Sequence, residues 1–146
     1  MANELKTTSS LENIGALAGR FLLVFIFLAS SGNKITNFGQ VQGYMASHGM
    51  PATGILLAGA IVFLGVGGLR VVLGFNARIG ALLLIAFIVP ASLIFHNFWA
   101  YEGQEQQGQM IHFMKNLAIL GALISIAATN VRGWRLDQKL LRSKQA

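Results

Sequence analysis

The chain has no cysteine, which excludes disulfides, thiolate metal ligands, cysteine nucleophiles and dithiol relays together. Any redox role must then work through a bound cofactor or a partner. Charge is nearly as scarce: 11% of the 146 residues are Asp, Glu, Lys or Arg, against about 25% in soluble domains. Only 5 residues are acidic and only 2 are proline. Glu102 and Glu105 stand in the most polar stretch of the chain, which reads as solvated and not as a paired-carboxylate site. The formal charge of +6 does not mark a nucleic-acid binder, because the basic residues sit at segment ends and in the C-terminal tail instead of along one face.

What the sequence has is apolar length. From Ile79 to Phe95 there is no charged side chain, and Arg78 to Trp99 spans roughly the 30 Å hydrocarbon core at about 1.5 Å per residue. Arg78 bounds this segment at one end and His96, Asn97 and Trp99 at the other, as interfacial anchors do. Three further segments follow the same logic. The pattern predicts an all-α membrane protein, an antiparallel four-transmembrane-helix bundle with spans at about 14–35, 51–72, 78–98 and 110–131. A polar tail covers 1–13 and a basic tail 132–146. The first span is expected to be retained and not cleaved as a signal peptide: its preceding region is long and not distinctly basic, and Ala29-Ser30-Ser31-Gly32 is a poor cleavage signature.

Lys34 to Met50 and Ala100 to Gln109 are expected as polar loops, and Gly74 to Arg78 as a short turn that makes spans two and three a hairpin. Pro90 should bend the third span. Four spans put both termini on one side. Lys6, Arg20, Arg70, Arg78 and the tail residues Arg132, Arg135, Lys139, Arg142 and Lys144 go with that side, leaving only Lys34 and Lys115 opposite. The imbalance predicts cytoplasmic termini, with Arg70 and Arg78 as cytoplasmic anchors. His48, His96 and His112 then fall on the outer side.

Two sets of residues stand out. Gly15 and Gly19, Gly65 and Gly68, and Gly121 with Ser125 are small residues at spacings that let helices approach closely. His112, Lys115 and Asn116 share one helical face, while His96 and Asn97 end the preceding span on the same side, with Lys34 nearby. An ionisable residue at membrane depth is a functional hypothesis by default. The expected ligand site is therefore His96, Asn97, His112, Lys115, Asn116 and Lys34, suited to an oxyanion or a quinone carbonyl. The plainer alternative is that these groups satisfy loop carbonyls and water at the interface. No metal is expected, because the histidine spacings fit no ligand signature.

Arg20 before an apolar run, Ser31-Gly32 and Lys34 at its end, and Tyr44-Met45-Ala46-Ser47-x-Gly49-x-Pro51 resemble the DoxX family. So do Gly74-Phe75-x-x-Arg78, His96-Asn97-x-Trp99, Met110-Ile111-x-Phe113-x-Lys115-Asn116 and Leu136-Asp137. The resemblance covers roughly Ile14 to Asp137 and implies a small four-helix protein of the bacterial inner membrane. It also implies, through some members, a link to quinone-dependent sulfur oxidation or membrane oxidoreductase complexes. Many relatives carry a glutamate where this chain has Leu64, so no proton-handling role is carried over through that position.

Three readings of function follow. The first is a quinone- or redox-linked subunit of a membrane complex. The second is a non-catalytic accessory subunit, packing against other membrane subunits or against its own copies through glycine-rich faces. The third, a small-solute transporter, ranks last because no inverted repeat or pair of broken helices is visible. A reporter active only outside the cytoplasm should be silent when fused after Ala146 and active when inserted near Gly103. The reverse pattern would contradict the four-span topology.

Overall fold

The computed structural model describes residues 2–129. The expected end of the fourth span at 131 and the basic tail 132–146 lie outside the described residues. Five helices follow in order: α1 (Ala2–Thr36), α2 (Phe38–Ser47), α3 (Thr53–Leu73), α4 (Ala77–Phe95) and α5 (Gly103–Ala128), with a single 3₁₀ turn at Phe98–Ala100 before α5. Four of them are long and apolar enough to cross a bilayer, over Asn13–Thr36, Thr53–Leu73, Ala77–Ala100 and Gly103–Ala128. Spanning helices keep every backbone hydrogen bond within the segment, as a lipid environment requires.

Buried residues recur at helical spacing on each inner face. On α1 they are Arg20, Val24, Phe27 and Ser31; on α3, Leu57, Leu64, Gly67, Gly68 and Val71; on α4, Ala77, Gly80, Ala81, Leu84 and Ile88. The pairings run antiparallel. Ser31 Oγ donates to the Ile61 carbonyl at 3.1 Å near one end of α1 and α3, and Arg20 Nη1 to the Val71 carbonyl at 3.5 Å near the other. Helix α5 packs on α4 and buries the smallest share of the four spans, Leu123 being its one fully buried residue among those described.

The tightest contact lies between α3 and α4. A Cβ built on Gly80 would stand 2.7 Å from the Gly67 carbonyl oxygen, and one on Gly67 would stand 3.0 Å from the Gly80 carbonyl oxygen. Only glycine permits this backbone-to-backbone approach. The turn that sets it up is short: Gly74 is left-handed at φ +62°, closes the end of α3 on the Val71 carbonyl, and Asn76 at φ +46° starts α4.

The small residues expected at helix contacts divide. Gly68 faces Leu28, with a Cβ placed 2.8 Å from its Cδ2, and Gly65 faces Ser31 Oγ at 3.3 Å. Gly15, Gly19 and Gly121 have nothing within 4 Å among the described residues, and Ser125 is exposed. Among the described residues those four do not sit against a neighbouring helix: α5 turns Leu123 inward, and both α1 glycines lie off the face bearing Arg20 and Val24.

Three stretches differ from expectation. The polar tail is helical from Ala2, because nothing before Gly15 breaks a helix and Glu, Leu and Lys favour one. The expected loop after Lys34 contains α2, whose Phe38, Val41, Gln42 and Met45 lie at i, i+3, i+4 and i+7 and turn inward. The glutamine-rich stretch is the first two turns of α5; Glu and Gln are good helix formers, so polarity there did not mean loop. Helix α4 also runs through Pro90 as one element, and Ser92 Oγ donates to the Ile88 carbonyl at 2.6 Å beside it.

Gly80→Ala should lower stability in detergent by about 1–3 kcal/mol, because its Cβ meets backbone and not a movable side chain. Gly121→Ala should stay within about 0.5 kcal/mol of the parent. Equal melting of the Gly80 variant and the parent would contradict the close approach.

Candidate functional site

Antiparallel pairing of α4 and α5 brings the polar end of one against the polar start of the other. Asn116 Nδ2 donates to Ser92 Oγ at 3.0 Å, tying the helices one turn below the histidines. Above that tie the His96 and His112 rings stack with centroids 5.1 Å apart and planes at 27°. His96 Nδ1 is 2.8 Å from Gln109 Oε1, and Lys115 Nζ is 3.3 Å from His112 Nδ1.

These partners set the two imidazoles differently. An ammonium can only donate, so His112 Nδ1 accepts from Lys115 and its proton sits on Nε2. A carboxamide oxygen can only accept, so His96 donates from Nδ1 and a neutral ring keeps a lone pair on Nε2. The stacked pair thus offers one N–H donor and one acceptor side by side. His96 and Asn116 are half-buried, whereas His112 and Lys115 are exposed, so the group forms an open ledge on the bundle flank.

Aromatic rings flank the ledge. Phe98, Trp99 and Phe113 meet edge-to-face at 5.2, 5.5 and 6.0 Å between centroids and hold the 3₁₀ turn against α5. A second group lies where α2 reaches α4: Tyr44 stacks on Phe95 at 5.5 Å, and His48 packs on both at 4.4 and 5.2 Å. Burial pushes the Tyr44 phenol above its ordinary range, with the charge of a Tyr101 phenolate adding to the effect.

Of the residues expected at the site, His96, His112, Lys115 and Asn116 come together. Asn97 follows His96, and its Oδ1 is buried with no hydrogen-bond partner among the described residues. Lys34 is engaged apart from them: its ammonium donates to Ser30 Oγ at 2.9 Å and stands 5.7 Å from the Phe87 ring centroid. No group of three His, Cys, Asp or Glu side chains that could hold a metal occurs among the described residues. Sequence reasoning missed Gln109 and Ser92. The signal was present in spacing, since Gln109, His112 and Asn116 share one face of α5, and Ser92 lies one turn before His96 on α4.

The tautomer assignment has a direct check. In nitrogen-15 spectra of the labelled protein in micelles, His112 should carry its proton on Nε2 and His96 on Nδ1. Lys115→Met should release the His112 preference; the same tautomer at His96 and His112 in the parent would contradict the arrangement.

The comparisons with known proteins agree with one another. The DoxX family model matches residues 15–97. The inner membrane protein YqjF of Escherichia coli (strain K12) is 33% identical over 130 residues, 89% of this chain and 95% of that protein. The inner membrane protein YphA of the same organism is 32% identical over 123 residues, covering 84% of this chain and 88% of that protein. No solved structure matches.

Proposed function

This chain belongs to the DoxX family, and from that premise we propose that it is a quinone-binding subunit of a redox complex in the inner membrane. Four apolar helices and two inner-membrane relatives support that location. The observation that carries the ligand reading is the stacked His96–His112 pair, poised by Gln109 and Lys115 and flanked by Phe98, Trp99 and Phe113. A quinone headgroup is a flat ring bearing carbonyl acceptors. His112 Nε2–H and the Lys115 ammonium are donors for such a carbonyl, the aromatic trio is a surface for the ring, and the surrounding bilayer takes the isoprenoid tail. His96 Nε2 is an acceptor matched to the hydroxyl of a reduced quinol. Nine basic residues on the side of the termini support cytoplasmic ends, and with that orientation the ledge faces the outer side.

A second reading rests on the surfaces that this chain leaves open. Gly15 and Gly19 on α1, and Gly121 and Ser125 on α5, border no other helix among the described residues. Small residues on a lipid-facing surface suit an accessory subunit that packs against another membrane protein or a second copy.

Trp99 supplies the test. With Trp134 replaced by phenylalanine, Trp99 is the one remaining tryptophan, and a short-chain ubiquinone analogue bound at the ledge should quench it. Lys115→Met should weaken that binding about tenfold or more, the worth of a hydrogen bond from a charged donor. Its melting temperature should be unchanged or raised, because a poorly compensated charge is removed. Undiminished quenching in Lys115→Met would contradict the quinone reading, and a large loss of stability would make Lys115 a structural tie.

A further inference from the structure

The opposite end of the bundle carries a different constellation. Arg70 lies in the last turn of α3 and Arg78 in the first turn of α4, on either side of the short turn at Gly74–Asn76. Arg20 is 5% exposed at the same end and donates to the Ala16 and Val71 carbonyls. Arg70 is folded onto α4, its Cβ 2.8 Å from the position of a Cβ on Gly80. Its guanidinium carbon stands 5.2 Å from the Phe75 ring centroid, and its Nε is buried with no acceptor. Arg78 is exposed, and neither Arg70 nor Arg78 has a hydrogen bond or ion pair with a described residue. The carboxylates with described side chains, Glu102 and Glu105, stand at the other end of the bundle.

Two guanidiniums without acceptors among the described residues, at one hairpin end, call for an oxyanion. Depth narrows the choice. Arg70 is three residues inside the end of a span and Arg78 is the second residue of the next, so both heads reach the level of lipid headgroups. A guanidinium edge matches two phosphate oxygens. We infer that the α3–α4 turn binds the phosphate of an anionic phospholipid, held between Arg70 and Arg78. The bound lipid completes the packing where α3 and α4 are closest, so it acts on the stability of the bundle. This site is independent of the histidine ledge and survives if the ledge binds nothing.

The test is thermal unfolding of the purified full chain in neutral detergent with three additives: phosphatidylglycerol, phosphatidylcholine and inorganic phosphate. Phosphatidylglycerol should raise the melting temperature, and the other two should not. Arg78→Gln, at an exposed position, should fold normally and need roughly fivefold more phosphatidylglycerol for the same shift. The Arg70→Gln, Arg78→Gln double variant should lose the shift. The inference is overturned if phosphatidylcholine stabilises equally, if inorganic phosphate alone reproduces the effect, or if Arg78→Gln responds like the parent.

Discussion

The architecture depends on the place where the backbones of α3 and α4 touch. At Gly67 and Gly80 there is no room for a side chain on either helix, so the hairpin closes to its smallest separation. The consequences spread outward from there. Leu64 and Leu84 are driven into a core where both are 0% exposed. Leu28 of α1 sits over Gly68, which seats α1 in the groove beside α3. Among the described helices α5 has α4 as its substantial neighbour, so its placement, and the meeting of His112 with His96, is inherited from the hairpin.

Leu64 shows how that packing limits function. The family resemblance implies a glutamate there in many members, whereas in this chain the position is a leucine fully buried among apolar side chains. An ionised carboxylate would need a partner in that core. Polar chemistry is displaced to the two ends of the bundle. One end gathers histidines, a lysine, carboxamides and aromatic rings; the other gathers guanidiniums. Among the described residues the fully buried polar side chains are Arg20, at the guanidinium end, and Ser31, each bonded to a backbone carbonyl of α3.

The four spans were legible because a bilayer imposes length and apolarity, and both can be counted along a chain. The gathering of His96, His112, Lys115 and Asn116 was legible for a related reason: a short loop forces adjacent ends together, and helical spacing says which residues share a face. Other features were not. Helix α2 escaped because two glycines and many polar groups mask the inward positions of Phe38, Val41 and Met45. The start of α5 escaped because glutamines signal solvent and helix alike. Glycine faces were the least legible. Gly80 makes the tightest approach among the described glycines yet stands alone in its sequence neighbourhood, whereas the conspicuous Gly15 and Gly19 pair meets nothing among the described residues. Spacing reports that a close approach is permitted; which face is used depends on the neighbour.

The central claim is the register of α4 against α5, since it alone brings the two histidines together. The absence of native cysteine makes it directly measurable. Ser92 and Asn116, hydrogen-bonded at 3.0 Å, would be replaced together by cysteine and oxidised mildly in native membranes. The account predicts rapid formation of an intramolecular disulfide at that pair and none when the α5 cysteine is moved to exposed Leu117. Failure of the Ser92–Asn116 pair to cross-link, or equal cross-linking from Leu117, would contradict it.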